Sequence, residues 1–305
     1  MKIVVAGGSG FLGTALIGKL TEAGHSVVLL TRNPGSAVST FSPSVQSTYW
    51  DANTVGPWAT SIDGADAVVN LTGESIGGKR WAARQKEILL ASRINSTKAI
   101  IEAIRQASKK PRVLINQSAI GYYGNVPNGN VEEDHQPGND FLAEICVRWE
   151  REARTVESLG VRLVLPRTGI VLAKYGGALP RFFLPFNLFI GGPLGTGNQW
   201  FPWIHLEDEI GGMMFALEQE KLSGPINFAA PGNATMKQFC AALGKAMHRP
   251  SWAPVPGFIL KILLGEMAGP LILGGQKVIP AKLQETGYRF RYPTIDEALT
   301  NVLRT

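Results

Sequence analysis

The sequence predicts an α/β fold: a doubly wound parallel sheet carrying a smaller, discontinuous C-terminal α/β lobe. Three observations predict it. Short, almost wholly apolar runs alternate with helical patterns through the first two-thirds of the chain, as buried parallel strands and their crossover helices do. A glycine-rich turn stands between the first apolar run and the first helical pattern. Beyond Arg167 the texture changes to segments rich in Gly, Pro and Phe, the composition of a less regular lobe.

The apolar runs are Ile3–Ala6, Val27–Leu30, Ala67–Leu71, Val113–Ile115, Val161–Leu165 and Ile226–Ala229, with Ser47–Asp51 a weaker strand candidate. Between the first two, Leu12, Leu16 and Leu20 recur at i, i+4, i+8 and mark one helix face, which Gly24 ends by taking the left-handed cap. Further helices are expected at about 84–107 and 140–158. Residues 1–173 read as the main unit, its sheet completed by about 203–231, and residues 174–202 and 232–305 as a small cap lobe. Within the lobe, Phe182, Phe183, Phe186 and Phe189 precede a Gly-rich stretch at 191–197. That pattern fits an apolar wall and lid over a substrate cleft, or ordinary packing against residues 255–275.

The chain has 305 residues, 45% hydrophobic and 18% charged, which excludes disorder and coiled coil and provides for a sizeable core. Thirty Lys+Arg against 24 Asp+Glu leave a formal charge of +6. The basic residues are spread out, with one local cluster at Lys79, Arg80, Arg84 and Lys86, so an anionic small molecule is expected rather than nucleic acid. The apolar stretches at 182–192 and 258–264 are far shorter than the ~20 residues a membrane helix needs, and no membrane partner is expected. Two cysteines outside any CxxC and the lack of an export pattern make the cytoplasm the expected location. Oligomeric state is not legible.

The strongest motif is Gly7-Gly8-Ser9-Gly10-Phe11-Leu12-Gly13. It follows a strand and opens a helix, the setting in which glycines permit a tight turn, close approach to a pyrophosphate and close helix–strand packing. The helix N-terminus adds unpaired N–H groups and the positive dipole end. Two registers fit, Gly8-x-Gly10-x-x-Gly13 and Gly7-x-x-Gly10-x-x-Gly13. The second strand ends Thr31-Arg32-Asn33 with no acid for a ribose 2′-hydroxyl, and Arg32 offers a planar fork for a 2′-phosphate. NADP(H) is therefore expected over NAD(H), with a solvent-facing Arg32 as the alternative. The later segment Gly73–Arg80 nearly spells a P-loop, but Arg80 replaces the hydroxyl that would hold Mg²⁺.

Taken together, these residues resemble the extended short-chain dehydrogenase/reductases, the nucleotide-sugar epimerase and dehydratase family. Residues 6–13 resemble its cofactor turn, Val68–Gly73 its fourth-strand segment beside the ribose, and Asp51 falls where an acid approaches the adenine. Ser118–Gly124 resembles the stretch with the catalytic Ser, Leu165–Gly169 the arginine segment containing Arg167, and Trp203–Asp208 the later His-x-x-Asp stretch. Asn70–Glu74, Phe201–His205 and Gly275–Pro280 resemble one subgroup, labelled epimerase-like and sometimes cell-division inhibitor, with a C-terminal domain of unassigned function. The resemblance implies a Rossmann-type fold with coenzyme across the strand ends, contacted by Gly7–Gly13, Thr31, Arg32, Asp51, Leu71, Thr72, Gly73, Arg93, Leu142 and Arg167.

The family's chemistry rests on Tyr-x-x-x-Lys, and that motif is absent. The residues four beyond the six tyrosines are Asn53, Val126, Pro127, Leu179, Tyr292 and Asp296. Counting back from Glu150, Leu142 takes the Tyr place and Cys146 the Lys place. Arg93 stands where the family has Asn, either a fixed charge in the cofactor cleft or a helix-surface residue. The candidates left for catalysis are Ser118, Tyr122, Tyr123 and Glu74, the tyrosines also reading as loop packing. His205, Glu207 and Asp208 fit the lobe motif better than a metal site, so no metal is expected. The expected activity is an NADP(H)-dependent oxidoreductase or epimerase-like reaction on a small, possibly anionic substrate. The alternative is a non-catalytic NADP(H)-binding sensor or partner-binding module.

Overall fold

In the computed structural model, which describes residues 1–35 and 40–304, the apolar runs become strands of one parallel sheet. They are β1 (Lys2–Ala6), β2 (Ser26–Thr31), β3 (Val45–Tyr49), β4 (Ala67–Asn70), β5 (Val113–Asn116), β6 (Ser118–Ala119), β8 (Arg162–Thr168) and β11 (Gly224–Phe228). The order is β3-β2-β1-β4-β5-β8-β11, with β6 paired to β8. The chain leaves β1 for β2 and β3 on one side, then crosses to β4 on the other. That crossing opens a crevice at the carboxyl ends of β1 and β4, where doubly wound folds bind ligands.

The strands are apolar along their length because both faces are covered. One face packs Ile3, Val5, Leu29 and Val69 against Leu16, Ile17 and Leu20 of helix Phe11–Glu22, together with Met213 and Leu217 of helix Leu206–Glu218. The other packs Val4, Val28, Val68 and Leu114 against Ile100, Ile101 and Ile104 of helix Ala83–Gln106. Gly24 ends the first helix at φ +76°, the left-handed conformation expected from the sequence. The weaker candidate is a strand displaced by two residues, Val45–Tyr49, and the third expected helix ends at Ala153 and continues as a 3₁₀ segment, Arg154–Leu159. Beyond β5 the chain steps at Gln117 and re-pairs as β6, which sets Ser118 and Ala119 beside Arg167 and Thr168.

Two short parallel pairs carry the rest: β9 (Ile170–Leu172) with β10 (Trp203–His205), and β7 (Val126–Val131) with β12 (Gln276–Val278). The Phe-rich segment forms helix Pro180–Asn187. Phe186 is buried and Phe182 meets Phe239 edge-on, in a cluster with Leu243, Ala298 and Leu299 from helices Met236–Met247 and Ile295–Arg304. Phe182, Phe183 and Phe186 therefore pack with these two helices rather than with residues 255–275 or as the wall of a cleft, whereas Phe189, beyond the helix, is 54% exposed. No helix among the described residues is long and apolar enough to cross a membrane.

Candidate functional site

Two connected hollows lie over the strand ends. The outer cleft, about 470 Å³, is bounded by Gly7, Ser9, Gly10, Thr31, Arg32, Asp51, Leu71, Thr72 and Gly73, all expected from the sequence. Glu74 lines it too, as do Asn33, Trp50, Asn53, Ile88 and Ser92, which sequence reasoning missed because they sit in loops and on a helix face with no motif. The inner chamber, about 330 Å³, shares Leu71, Thr72 and Gly73 with the cleft and adds Arg93, Ser118, Leu142 and Cys146.

The glycine turn is built by close approach. Gly7 sits at φ +76°, and a Cβ there would lie 2.8 Å from the Leu71 carbonyl carbon. A Cβ on Gly13 would lie 2.4 Å from the Cα of Gly8, so only glycine lets the helix start this close to β1. The Gly10 N–H donates to the Gly7 carbonyl at 3.1 Å, and the helix begins at Phe11, leaving Ser9 and Gly10 exposed at its N-terminus. Gly8, Leu12 and Gly13 do not line the cleft: Gly8 and Gly13 lie buried beneath it, and Leu12 packs on the core. Phe11 turns into a neighbouring hollow, where a Cβ on Gly176 would lie 2.5 Å from its ring.

At the far side, Arg32 is exposed at the end of β2, beside Thr31, whose hydroxyl accepts from the Asn33 N–H at 3.2 Å. Asp51 accepts from the backbone N–H groups of Thr54 and Asn53 and from the Thr54 hydroxyl, which hold its carboxyl below the usual carboxylate range. Leu71–Gly73 is positioned from below by a buried polar network. The Asn70 side chain donates to Asn116 at 2.7 Å and to Thr97 at 3.2 Å and accepts from the Thr72 N–H, while the Trp149 indole donates to Thr97 at 3.0 Å. The Thr72 hydroxyl is buried and has no protein partner. Helix N-terminus, close-packed glycines and orphaned hydroxyl together fit a dinucleotide's phosphates and riboses.

Three expected residues lie elsewhere. Arg167 makes two 2.8 Å bonds to the Glu150 carboxylate and donates to the Tyr123 hydroxyl and the Glu133 carbonyl, each at 3.0 Å. Burial alone would lower its pKa, but the bonds and charge of Glu150 outweigh that and raise it. Tyr123 donates to Asn227 at 2.6 Å, and burial pushes its hydroxyl up to about 12. Tyr122 lies flat on the Arg167 guanidinium, 3.4 Å from centroid to carbon. None of the three lines either hollow, so they hold the fold where the resemblance implied contact with coenzyme or substrate. Ser118 does line the chamber, yet its hydroxyl donates to Glu150 at 2.7 Å. Arg93 also departs from expectation: it is neither on the helix surface nor on the outer cleft but buried at the inner chamber. Cys146, in the Lys place, is buried, and its thiol is pushed up to about 12 by that burial.

A glycine turn at a helix N-terminus, opening on a cleft at the sheet's crossover, defines a nucleotide-binding protein of the doubly wound α/β class. Comparison with known proteins narrows the class. Residues 3–229 match the NAD dependent epimerase/dehydratase family, and the chain belongs to it. Residues 255–302 match a domain of unknown function. The chain is 39% identical over 304 residues to the epimerase family protein YfhF of Bacillus subtilis, covering 99% of this chain and 98% of that one. The crystal structure of human epimerase family protein SDR39U1 with NADPH is similar over 100% of both chains, with a TM-score of 0.90 and 34% identity. The UDP-glucuronic acid 4-epimerase of Bacillus cereus in complex with NAD, at 19% identity and a TM-score of 0.79, shares the fold.

Proposed function

We propose that this protein binds NADP(H) across the outer cleft and carries out an oxidoreductase or epimerase-like reaction on a small molecule in the inner chamber. The observation that carries the reading is the end of β2, where Arg32 stands at the cleft beside Thr31 with no carboxylate on that strand end. A guanidinium there can donate two N–H bonds to a 2′-phosphate, whereas a carboxylate would repel it. Gly7, Ser9 and Gly10 present backbone to the pyrophosphate, Asp51 lies toward the adenine, and Leu71–Gly73 lead into the chamber. The similar human protein was crystallised with NADPH, which supports the same choice. When bound, the coenzyme supplies or accepts a hydride; the chain must exclude water from the chamber and hold the substrate beside Ser118. In this reading residues 1–173 and about 203–231 form the coenzyme unit, and 174–202 with 232–305 the cap.

One observation favours a second reading, a coenzyme-binding module with little catalysis. Leu142 and Cys146 occupy the acid/base places, and the thiol stays protonated at neutral pH. Calorimetric titration with NADPH and NADH tests the shared premise. NADPH binding more tightly than NADH is expected, and Arg32→Ala lowering NADPH affinity about 10- to 100-fold while sparing NADH, as loss of a charge-assisted bond worth ~1.5–3 kcal/mol implies. Equal affinities in the unaltered protein would overturn it. Turnover of NADPH with carbonyl substrates separates enzyme from module.

A further inference from the structure

The inner chamber has an uneven chemistry. Its walls are apolar, among them Leu142 and Ile145 from helix Phe141–Ala153, Trp200, Met236, and Leu271 and Ile272 from above. Among the described residues lining it, Arg93 is the one that carries a charge at neutral pH. Arg93 is 9% exposed and makes no ion pair among the described residues. Its guanidinium donates to the Leu89 carbonyl at 2.9 Å and the Glu74 carbonyl at 3.1 Å and lies 5.1 Å from the Trp149 ring centroid. Those contacts fix its position and leave the remaining N–H groups of the guanidinium for a ligand. The Glu74 carboxylate acts on Arg93 only from beyond ion-pair distance, so burial of the cation is costly and an entering anion relieves that penalty.

The roof over this cation is held rigidly. Gly269–Leu273 forms a single π-type turn, closed by the Gly274 N–H on the Gly269 carbonyl at 2.8 Å. Gln199 donates to the Ile272 carbonyl at 2.9 Å, Gln276 to the Ile120 carbonyl at 2.8 Å, and a Cβ on Gly275 would lie 2.0 Å from the Trp200 oxygen. A nucleoside diphosphate brings two charged phosphoryl groups and a polar sugar, and the chamber offers one cation, a few amide and hydroxyl groups (Gln117, Ser118, Thr168, Gln276) and an otherwise apolar surface. Charge balance and wall chemistry favour a monoanion with an apolar body.

We propose that the inner chamber binds a small apolar carboxylate, its head on Arg93 and its hydrocarbon body between Leu142, Ile145 and the Leu271–Ile272 roof. The proposal builds on the coenzyme reading, because it sets the substrate next to Leu71–Gly73, but its test is separable. The probes are hexanoate and benzoate, their neutral amides, hexyl phosphate and UDP-glucose, each titrated by ligand-observed NMR against the protein with and without NADPH. The acids are expected to bind at least tenfold more tightly than their amides, and more tightly than hexyl phosphate or UDP-glucose. Arg93→Met should weaken the acids at least tenfold and weaken NADPH by a smaller factor, because Arg93 also holds the Glu74 carbonyl beside the cleft. The acid-against-amide comparison uses the unaltered protein, so it stands even if the variant fails to fold. Amides binding as well as acids, hexyl phosphate or UDP-glucose binding better than the acids, or Arg93→Met weakening NADPH as much as the acids would each overturn the proposal. Acid selectivity without any NADPH binding would uphold the chamber and sink the coenzyme reading alone.

Discussion

Glu209 shows how much a single buried group can set. It is fully buried behind the chamber wall, and the Thr168 hydroxyl donates to it at 2.6 Å. Burial pushes its carboxyl up to about 8, while the bonds from Thr168 and Gln117 pull the other way. The folded protein therefore keeps a proton that the unfolded chain releases near pH 4.3, and raising the pH favours unfolding across that interval. Its contribution to stability is complete below the unfolded value and lost as the pH rises through about 8. Thermal melts from pH 4.5 to 8.5 should show this fall, and Glu209→Gln should flatten it; an unchanged profile in the variant would refute the assignment. The Arg167–Glu150 pair makes the opposite case, a buried charge fully partnered. Arg167→Met should destabilise by about 3–5 kcal/mol in urea unfolding, because it strands Glu150 without its counter-ion. A loss below 1 kcal/mol would contradict that reading. Of these residues, sequence motifs pointed to Arg167 but could not tell an ion-pair partner from a cofactor contact. Glu209 carried no signal at all, since its effect comes from burial by distant elements.

Among the elements, the strand–turn–helix at the N-terminus is the one whose local sequence and tertiary role coincide. Gly13 is required by contact rather than by its own backbone angles, for a Cβ there meets the Gly8 Cα at 2.4 Å. Gly13→Ala should push the helix off β1, weakening NADPH at least tenfold and destabilising by about 1–3 kcal/mol through overpacking. A variant that binds as tightly as the parent in calorimetry would show the close approach to be dispensable. The helix Ala83–Gln106 is less legible. Its apolar spacing reveals the face built from Ile100, Ile101 and Ile104, yet the same helix buries Arg93, Ser96 and Thr97 toward the site. Polar residues on a buried helix face look like a solvent face in the sequence, and only their partners show otherwise.

Across the whole molecule, elements far apart in the chain are held together by two kinds of contact of very different worth. Lys86 meets Glu266 at 2.6 Å, but the pair is partly exposed, and Lys86→Ala should change stability by under ~1 kcal/mol. Leu299, fully buried on the last helix among Phe239, Leu243 and Ala298, should cost about 2–5 kcal/mol when replaced by alanine. Equal losses for the two variants in parallel denaturant curves would show that this ranking is wrong. The sequence by itself determined the long strands of the main sheet and the first three helices, the glycine turn, and the lack of a Tyr-x-x-x-Lys pair. Those features are written locally, in period, in glycine spacing and in residue type. Tertiary structure alone decided that Arg93 faces the inner chamber, that Tyr123 and Arg167 are tied into the core, and that the Phe-rich helix is packing. The physical reason is common to all three. What a polar or aromatic side chain does depends on which groups from other elements desolvate it or bond to it, and no short stretch of chain records that.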